Sequence, residues 1–135
     1  MTNQNRPQLI QLPKILDKRG NLSFVQNNLQ VPFIIKRVFW IYDVPGGEIR
    51  GGHAYKTQQE FIIALSGSFD VIINTGKEVL IFHLNRSYYG LYIPPMVWRH
   101  IENFSTNSLS LHLSDTNFIK DEYIRDIKEY ETLNK

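Results

Sequence analysis

Short apolar runs closed by turn residues recur along the chain, and most of them read with a period of two. In Leu109–Ser114 the alternation is complete: Leu109, Leu111 and Leu113 share one face, and Ser108, Ser110, His112 and Ser114 share the other. Phe69, Val71 and Ile73 alternate in the same way before Asn74-Thr75-Gly76-Lys77, a hairpin signal. Phe61–Leu65 is apolar on both faces and predicts a buried strand. A longer strand is predicted over Ile34–Val44, with Lys36, Val38, Trp40 and Tyr42 on one face and Arg37, Phe39, Ile41 and Asp43 on the other. Pro45-Gly46-Gly47 breaks it. Leu22–Gln26, Val79–Leu84, Tyr89–Ile93 and Trp98–Phe104 are further strand segments between turn signals.

The two ends read differently. Residues 7–16 carry Pro7 and Pro13 among apolar side chains, which predicts an irregular arm or an edge strand. In the tail, Asp121 and Glu122 can start a helix, and Tyr123, Ile124, Ile127 and Tyr130 then recur at helical spacing. A short helix over residues 121–133 is therefore expected. Many short strands, no repeat and no linker predict a single all-β domain over residues 1–135, a barrel or a sandwich.

Composition narrows the function classes. The apolar share of 42% supports a real core, and the absence of cysteine excludes disulfides, thiolate metal sites and cysteine nucleophiles. The net charge of +2 is spread along the chain with no basic stripe, so nucleic acid is not an expected partner. No apolar run approaches the ~20 residues of a membrane helix. The expected setting is a soluble cytoplasmic protein.

Candidate chemistry concentrates in Gly47–Glu60, where glycines interleave with Arg50, His53, Tyr55 and Glu60. His53 and Tyr55 are two apart, so on a strand they face the same way. Arg50 precedes them across a glycine bend and can reach the same cavity from its rim. An imidazole, a phenol and a guanidinium converging on one pocket can move protons and hold an anion.

Two motif-like spacings resemble known ones. Gly47-x5-His53-x-Tyr55-x4-Glu60-x6-Gly67 resembles the first cupin motif, with tyrosine at its second histidine. Pro94-x-Met96-x2-Arg99-x3-Asn103 resembles the second, with arginine at its histidine. The resemblance implies a jelly-roll β-barrel. A narrower one spans nearly the whole chain. Asp17-x-Arg19-Gly20-x-Leu22, Ile35-Lys36-Arg37-Val38, Arg50-Gly51-x-His53-Ala54, Gly90-Leu91-Tyr92-Ile93, Val97-Trp98 and Tyr123-Ile124-Arg125 are together similar to the dTDP-sugar 3,4-ketoisomerases. These small cupins move the keto group of dTDP-4-keto-6-deoxyglucose from C4 to C3, ahead of transamination to a 3-amino sugar for surface polysaccharide.

That resemblance implies a metal-independent isomerase with no cofactor and a nucleotide-sugar substrate. His53 is the expected base. Tyr55 is the expected proton donor or hydrogen-bond partner of the enediolate, and Arg50 and Arg37 are candidates for the diphosphate or the enediolate oxygen. Trp98, Arg99, Tyr42 and Gln59 are the remaining candidates for substrate contact. The resemblance also implies a homodimer, with residues 1–16 as the arm exchanged between copies. Structural roles compete at each position. Tyr55 can cap the barrel, Arg50 can serve a surface ion pair, and Trp98 and Trp40 can be core or interface aromatics. Arg99 can balance Glu102 or Asp115. His83, His100 and His112 are read as structural, and Glu60 as facing polar surroundings or the pocket rim. Two other functions fit the same residues: a cupin that binds a nucleotide sugar without isomerising it, or one that acts on a different nucleotide sugar. A metal-dependent oxygenase is disfavoured, since an arginine at the fourth ligand position repels a cation.

Overall fold

The computed structural model describes residues 2–134. Ten strands form two antiparallel sheets. The strands are β1 (Gln8–Gln11), β2 (Arg37–Tyr42), β3 (Arg50–Tyr55), β4 (Glu60–Ser66), β5 (Phe69–Asn74), β6 (Val79–Leu84), β7 (Tyr89–Ile93), β8 (Trp98–Glu102), β9 (Leu109–Ser114) and β10 (Tyr123–Ile124). One sheet has the order β1-β7-β4-β9-β2 and the other β10-β3-β8-β5-β6. They pack face to face as a jelly roll with a seam open between β2 and β3. A 3₁₀ turn at Lys120–Glu122 leads into β10, and one helix, α1 (Ile127–Leu133), follows it.

The sheets close on a dry core at one end and a polar interior at the other. Ile62, Ala64, Phe69, Val71, Ile73, Leu91, Ile93 and Ile101 pack between them. The strand alternation seen in the sequence produces this, because Phe69, Val71 and Ile73 all point inward. A second apolar layer lies outside the first sheet, where Leu12, Val31 and Phe33 cover Phe61, Ile63, Tyr92 and Leu113. Here β9 reverses a simple expectation. Its serine and histidine face, Ser110, His112 and Ser114, is the buried inner one, and its leucines face outward.

Several boundaries differ from the sequence reading. Residues 22–26 form no strand; Leu22 makes only an isolated bridge to Ile15. The strand expected over 34–44 is shorter, Arg37–Tyr42, because Ile35 packs into the covering layer while Ile34 stays exposed beside it. The helix does not begin at residue 121. Tyr123 and Ile124 are consumed by pairing with Tyr55 and Ala54 of β3, and the helix starts only after Asp126, whose carboxylate accepts a hydrogen bond from the Lys128 amide. The helical spacing misled because Ile124 and Tyr130 are both buried against Trp98 and Ala54, one from a strand and one from a helix. Glu122 fixes this corner, with its Oε1 accepting from Thr57 Oγ1 at 2.8 Å and the Gln58 amide at 2.7 Å.

Candidate active site

The site lies inside the barrel, between β2, the edge of one sheet, and β3, which β10 borders in the other. A small void is lined by Phe39 and Ile41 of β2, Gly51 and His53 of β3, Glu60 and Ile62 of β4, Arg99 and Ile101 of β8, and His112 of β9. Gly51 makes the local geometry possible. It has φ +72°, and the pairing of β3 with β8 slips between Arg50 and His53. This bulge absorbs the odd spacing, so that Arg50 lies opposite Ile101 and His53 opposite Arg99.

An ion pair sits at the centre. Arg99 Nη1 donates to Glu60 Oε1 at 2.8 Å, and the two side chains are 1% and 2% exposed. Burial would raise the Glu60 carboxyl, but the Arg99 guanidinium, helped by His112, holds it down at about 2. His112 Nδ1 stands 3.6 Å from Glu60 Oε1, its Nε2 is 2.9 Å from Ser110 Oγ, and its ring stacks on Phe39. Arg99 also lies over the Tyr55 ring, 4.9 Å from its centroid.

His53, Tyr55 and Tyr123 form an edge-to-face trio beside that pair, with ring centroids 4.6, 4.7 and 5.0 Å apart. Burial, and then the Arg99 charge, pull the His53 imidazole down to about 3, so it is neutral at pH 7. Tyr55 is fully buried, and its hydroxyl is 3.5 Å from Glu60 Oε2 and 3.4 Å from the Tyr123 hydroxyl. Burial and the Glu60 carboxylate push its phenol well above the usual range. At the end of this row Arg37 donates to the Tyr123 hydroxyl at 3.4 Å and to Gln58 Oε1 at 3.0 Å, tying β2 to β10.

Among the described residues, three buried nitrogens of the cavity wall have no hydrogen-bond partner: His53 Nε2, Arg99 Nη2 and His112 Nδ1. Buried polar atoms are rarely left so. A neutral imidazole acceptor and a free guanidinium N–H on one small cavity suit a polar, oxygen-rich ligand.

The structure sorts the sequence candidates by strand face. His53, Tyr55, Arg37 and Arg99 come together. Arg50 is exposed at the mouth of β3 and lies outside the residues lining the void. Tyr42 is not at the site: it is 63% exposed on the outer face of β2, beside Trp40 and Val38. Trp98 is also elsewhere, on the far face of β8 from Arg99, packed with Ala54, Ile124 and Tyr130. Gln59 faces outward as well, held by Asp115 Oδ2 at 3.0 Å and by the Tyr92 hydroxyl at 2.6 Å. Its neighbour Gln58 is the one that points in, one step of strand parity away. Arg99 balances Glu60, not Glu102 or Asp115. Glu60 lies in the interior, not at the rim. His112 and Tyr123 were missed as site residues; the polar face of Leu109–Ser114 was the available signal for the first. For Tyr123 the signal was the Tyr123-Ile124-Arg125 run of the family resemblance, which its helical spacing obscured.

A small jelly roll with proton-transfer groups inside its barrel, and with an arginine on the carboxylate that a metal would use, defines a cupin of the acid–base kind. The sequence pattern of the family described as FdtA: WxcM-like, C-terminal matches residues 5–135, and the chain belongs to that family. It is 35% identical over 127 residues to a TDP-4-oxo-6-deoxy-alpha-D-glucose-3,4-oxoisomerase of Aneurinibacillus thermoaerophilus, covering 94% of this chain and 89% of that protein. Among solved structures it resembles the 3,4-ketoisomerase QdtA of Thermoanaerobacterium thermosaccharolyticum, a histidine-to-asparagine variant in complex with TDP-4-keto-6-deoxyglucose. The TM-score is 0.93 and the identity 32%, covering 96% of this chain and 94% of that one. The WlaRB TDP-quinovose 3,4-ketoisomerase of Campylobacter jejuni gives a TM-score of 0.90 at 38% identity, covering 95% and 98%.

Proposed function

We propose that this protein is a sugar-nucleotide 3,4-ketoisomerase that converts dTDP-4-keto-6-deoxyglucose to the 3-keto isomer. The observation that carries the reading is the pair of unpartnered nitrogens, His53 Nε2 and Arg99 Nη2, on one buried cavity. The reaction moves one proton off C3 and one onto C4 through an enediolate. A neutral imidazole is the base such a step needs, and His53 is neutral at working pH. The buried Arg99 guanidinium stands beside it to stabilise the enediolate oxygen. Arg37 adds a second positive charge at the closed end of the seam, and Arg50 one at the open rim. Proton transfer of this kind requires no metal or redox group, and Glu60 is already engaged by Arg99.

The product would supply an aminotransferase on the way to a 3-amino sugar for surface polysaccharide. A nucleoside diphosphate does not cross a bilayer, which supports a cytoplasmic enzyme. The active form in this reading is a homodimer. Val38, Trp40 and Tyr42 are 47%, 56% and 63% exposed in one stripe on the outer face of β2, the sort of apolar patch that a second copy covers. In the single chain β1 pairs with β7 of its own sheet, and it is the strand available for exchange in that dimer.

The test is proton NMR of dTDP-4-keto-6-deoxyglucose with the purified protein. Loss of the C3 proton signal with growth of a 3-keto product is expected. Binding of the nucleotide with no change in the spectrum over hours would replace this reading with that of a non-catalytic nucleotide-sugar binder.

A further inference from the structure

Tyr123 has no chemical role in the account above, yet it is less buried than Tyr55, its partner in the aromatic trio. Its ring centroid is 5.0 Å from that of His53, it is half-buried, and it lines a surface hollow of mixed charge, with Lys56, Lys120 and Arg125 beside Asp121, Asp126 and Glu129. Two cations bracket it. Arg37 Nη1 donates to its hydroxyl at 3.4 Å, and the Arg125 guanidinium lies 4.3 Å from its ring centroid. Both place a positive charge beside the ring and oxygen of this phenol. Tyr55 has the opposite surroundings: it is fully buried and its hydroxyl faces the Glu60 carboxylate, which opposes loss of a proton. Pairing of β10 with β3, which sets Tyr123 opposite Tyr55, holds the outer phenol in place.

We propose that Tyr123, not Tyr55, is the catalytic acid that delivers the proton to C4, so that the isomerisation uses two groups, His53 at C3 and Tyr123 at C4. This rests on the ketoisomerase reading given above. The C3–H bond breaks, its proton goes to His53, and its electron pair becomes the C3–C4 double bond of the enediolate with the negative charge on O4. The electrons of that double bond then take the Tyr123 hydroxyl proton at C4, while the O3 proton moves to O4 and C3 becomes the carbonyl. The imidazolium returns its proton to the phenolate through solvent, and no other reactant is consumed. C3 and C4 are bonded neighbours, so their acid and base must also be neighbours, as these two rings are.

The experiment separates the two proton transfers. In deuterated water, Tyr123→Phe is expected to keep exchanging the C3 proton of recovered substrate while forming product at least ~100-fold more slowly, the usual worth of a general acid. His53→Asn is expected to lose both. A measurement on the unaltered enzyme complements this: C3-deuterated substrate in ordinary water should give product with protium at C4. Carry-over of the label to C4 would mean that one group shuttles the proton, and would overturn the proposal. So would unchanged turnover in Tyr123→Phe, an equal loss of exchange and turnover, or a separation of the two steps by Tyr55→Phe instead. Absence of both exchange and product with the unaltered enzyme would instead refute the ketoisomerase reading.

Discussion

Removing the charge of Glu60 tests the physical basis of the site most directly. The Glu60–Arg99 pair is buried to within 2% on both sides and closes at 2.8 Å. Glu60→Gln keeps the size and one acceptor oxygen but leaves the Arg99 guanidinium buried without a counter-charge. Breaking one half of such a pair costs about 3–5 kcal/mol, because the remaining charge has lost its water and gained nothing. Against a domain stability of about 5–15 kcal/mol this is a large fraction. At roughly 4 °C per kcal/mol for a chain of this size, the melting temperature should fall by about 12–20 °C. Urea denaturation at pH 7 measures the free energy directly. The double variant Glu60→Gln with Arg99→Met is the control, since it removes the stranded charge and should recover at least half of the loss. A single variant within ~1 kcal/mol of the parent, or a double variant less stable than the single, would refute the argument that an uncompensated charge governs this cavity.

Acid should weaken the fold through His53. Its imidazole titrates near 3 when folded and at the usual 6.5 when unfolded, so the unfolded state takes the proton first. The contribution is complete above pH 6.5 and is lost as pH falls toward 3, at about 1.4 kcal/mol per pH unit, or roughly 2 kcal/mol by pH 5. Glu60 acts in the same direction but only below its usual 4.5 and toward 2, which leaves pH 5–6.5 to the histidine. His53→Gln should flatten the stability profile in that window, and parallel profiles of the two proteins would contradict the assignment. The exposed stripe on β2 gives the last prediction. Trp40→Glu should convert a dimer to a monomer by light scattering with the melting curve still cooperative, and a parent protein that is itself monomeric would remove the dimer from the reading.

Sequence pattern alone determined most of the strands and the candidate residues of β3. Period-two alternation located Phe69–Asn74 and Leu109–Ser114, because a half-buried strand must alternate whatever lies around it, and turn signals bounded Val79–Leu84 and Tyr89–Ile93. It also put His53 and Tyr55 on one face, and the interleaved glycines marked the place where a bulge bends β3. What it could not say is which face of a strand is the inside. A polar face normally means solvent, so the Ser110–His112–Ser114 side of β9 marked a polar surface without showing that it is buried and that His112 lines the cavity. Tyr42 and Gln59 were misplaced for the same reason: one step of parity separates Tyr42 from Ile41 and Gln59 from Gln58, and only the packing of two sheets decides which of them points in. Trp98 and Arg99 likewise divide between α1 and the barrel interior. The Glu60–Arg99 pair joins residues 39 positions apart, and Arg37 meets Tyr123 across 86. Such contacts carry no local period. They arise from the closing of the jelly roll, which brings strands distant in the chain to one cavity and sets the charge, burial and spacing on which its chemistry depends.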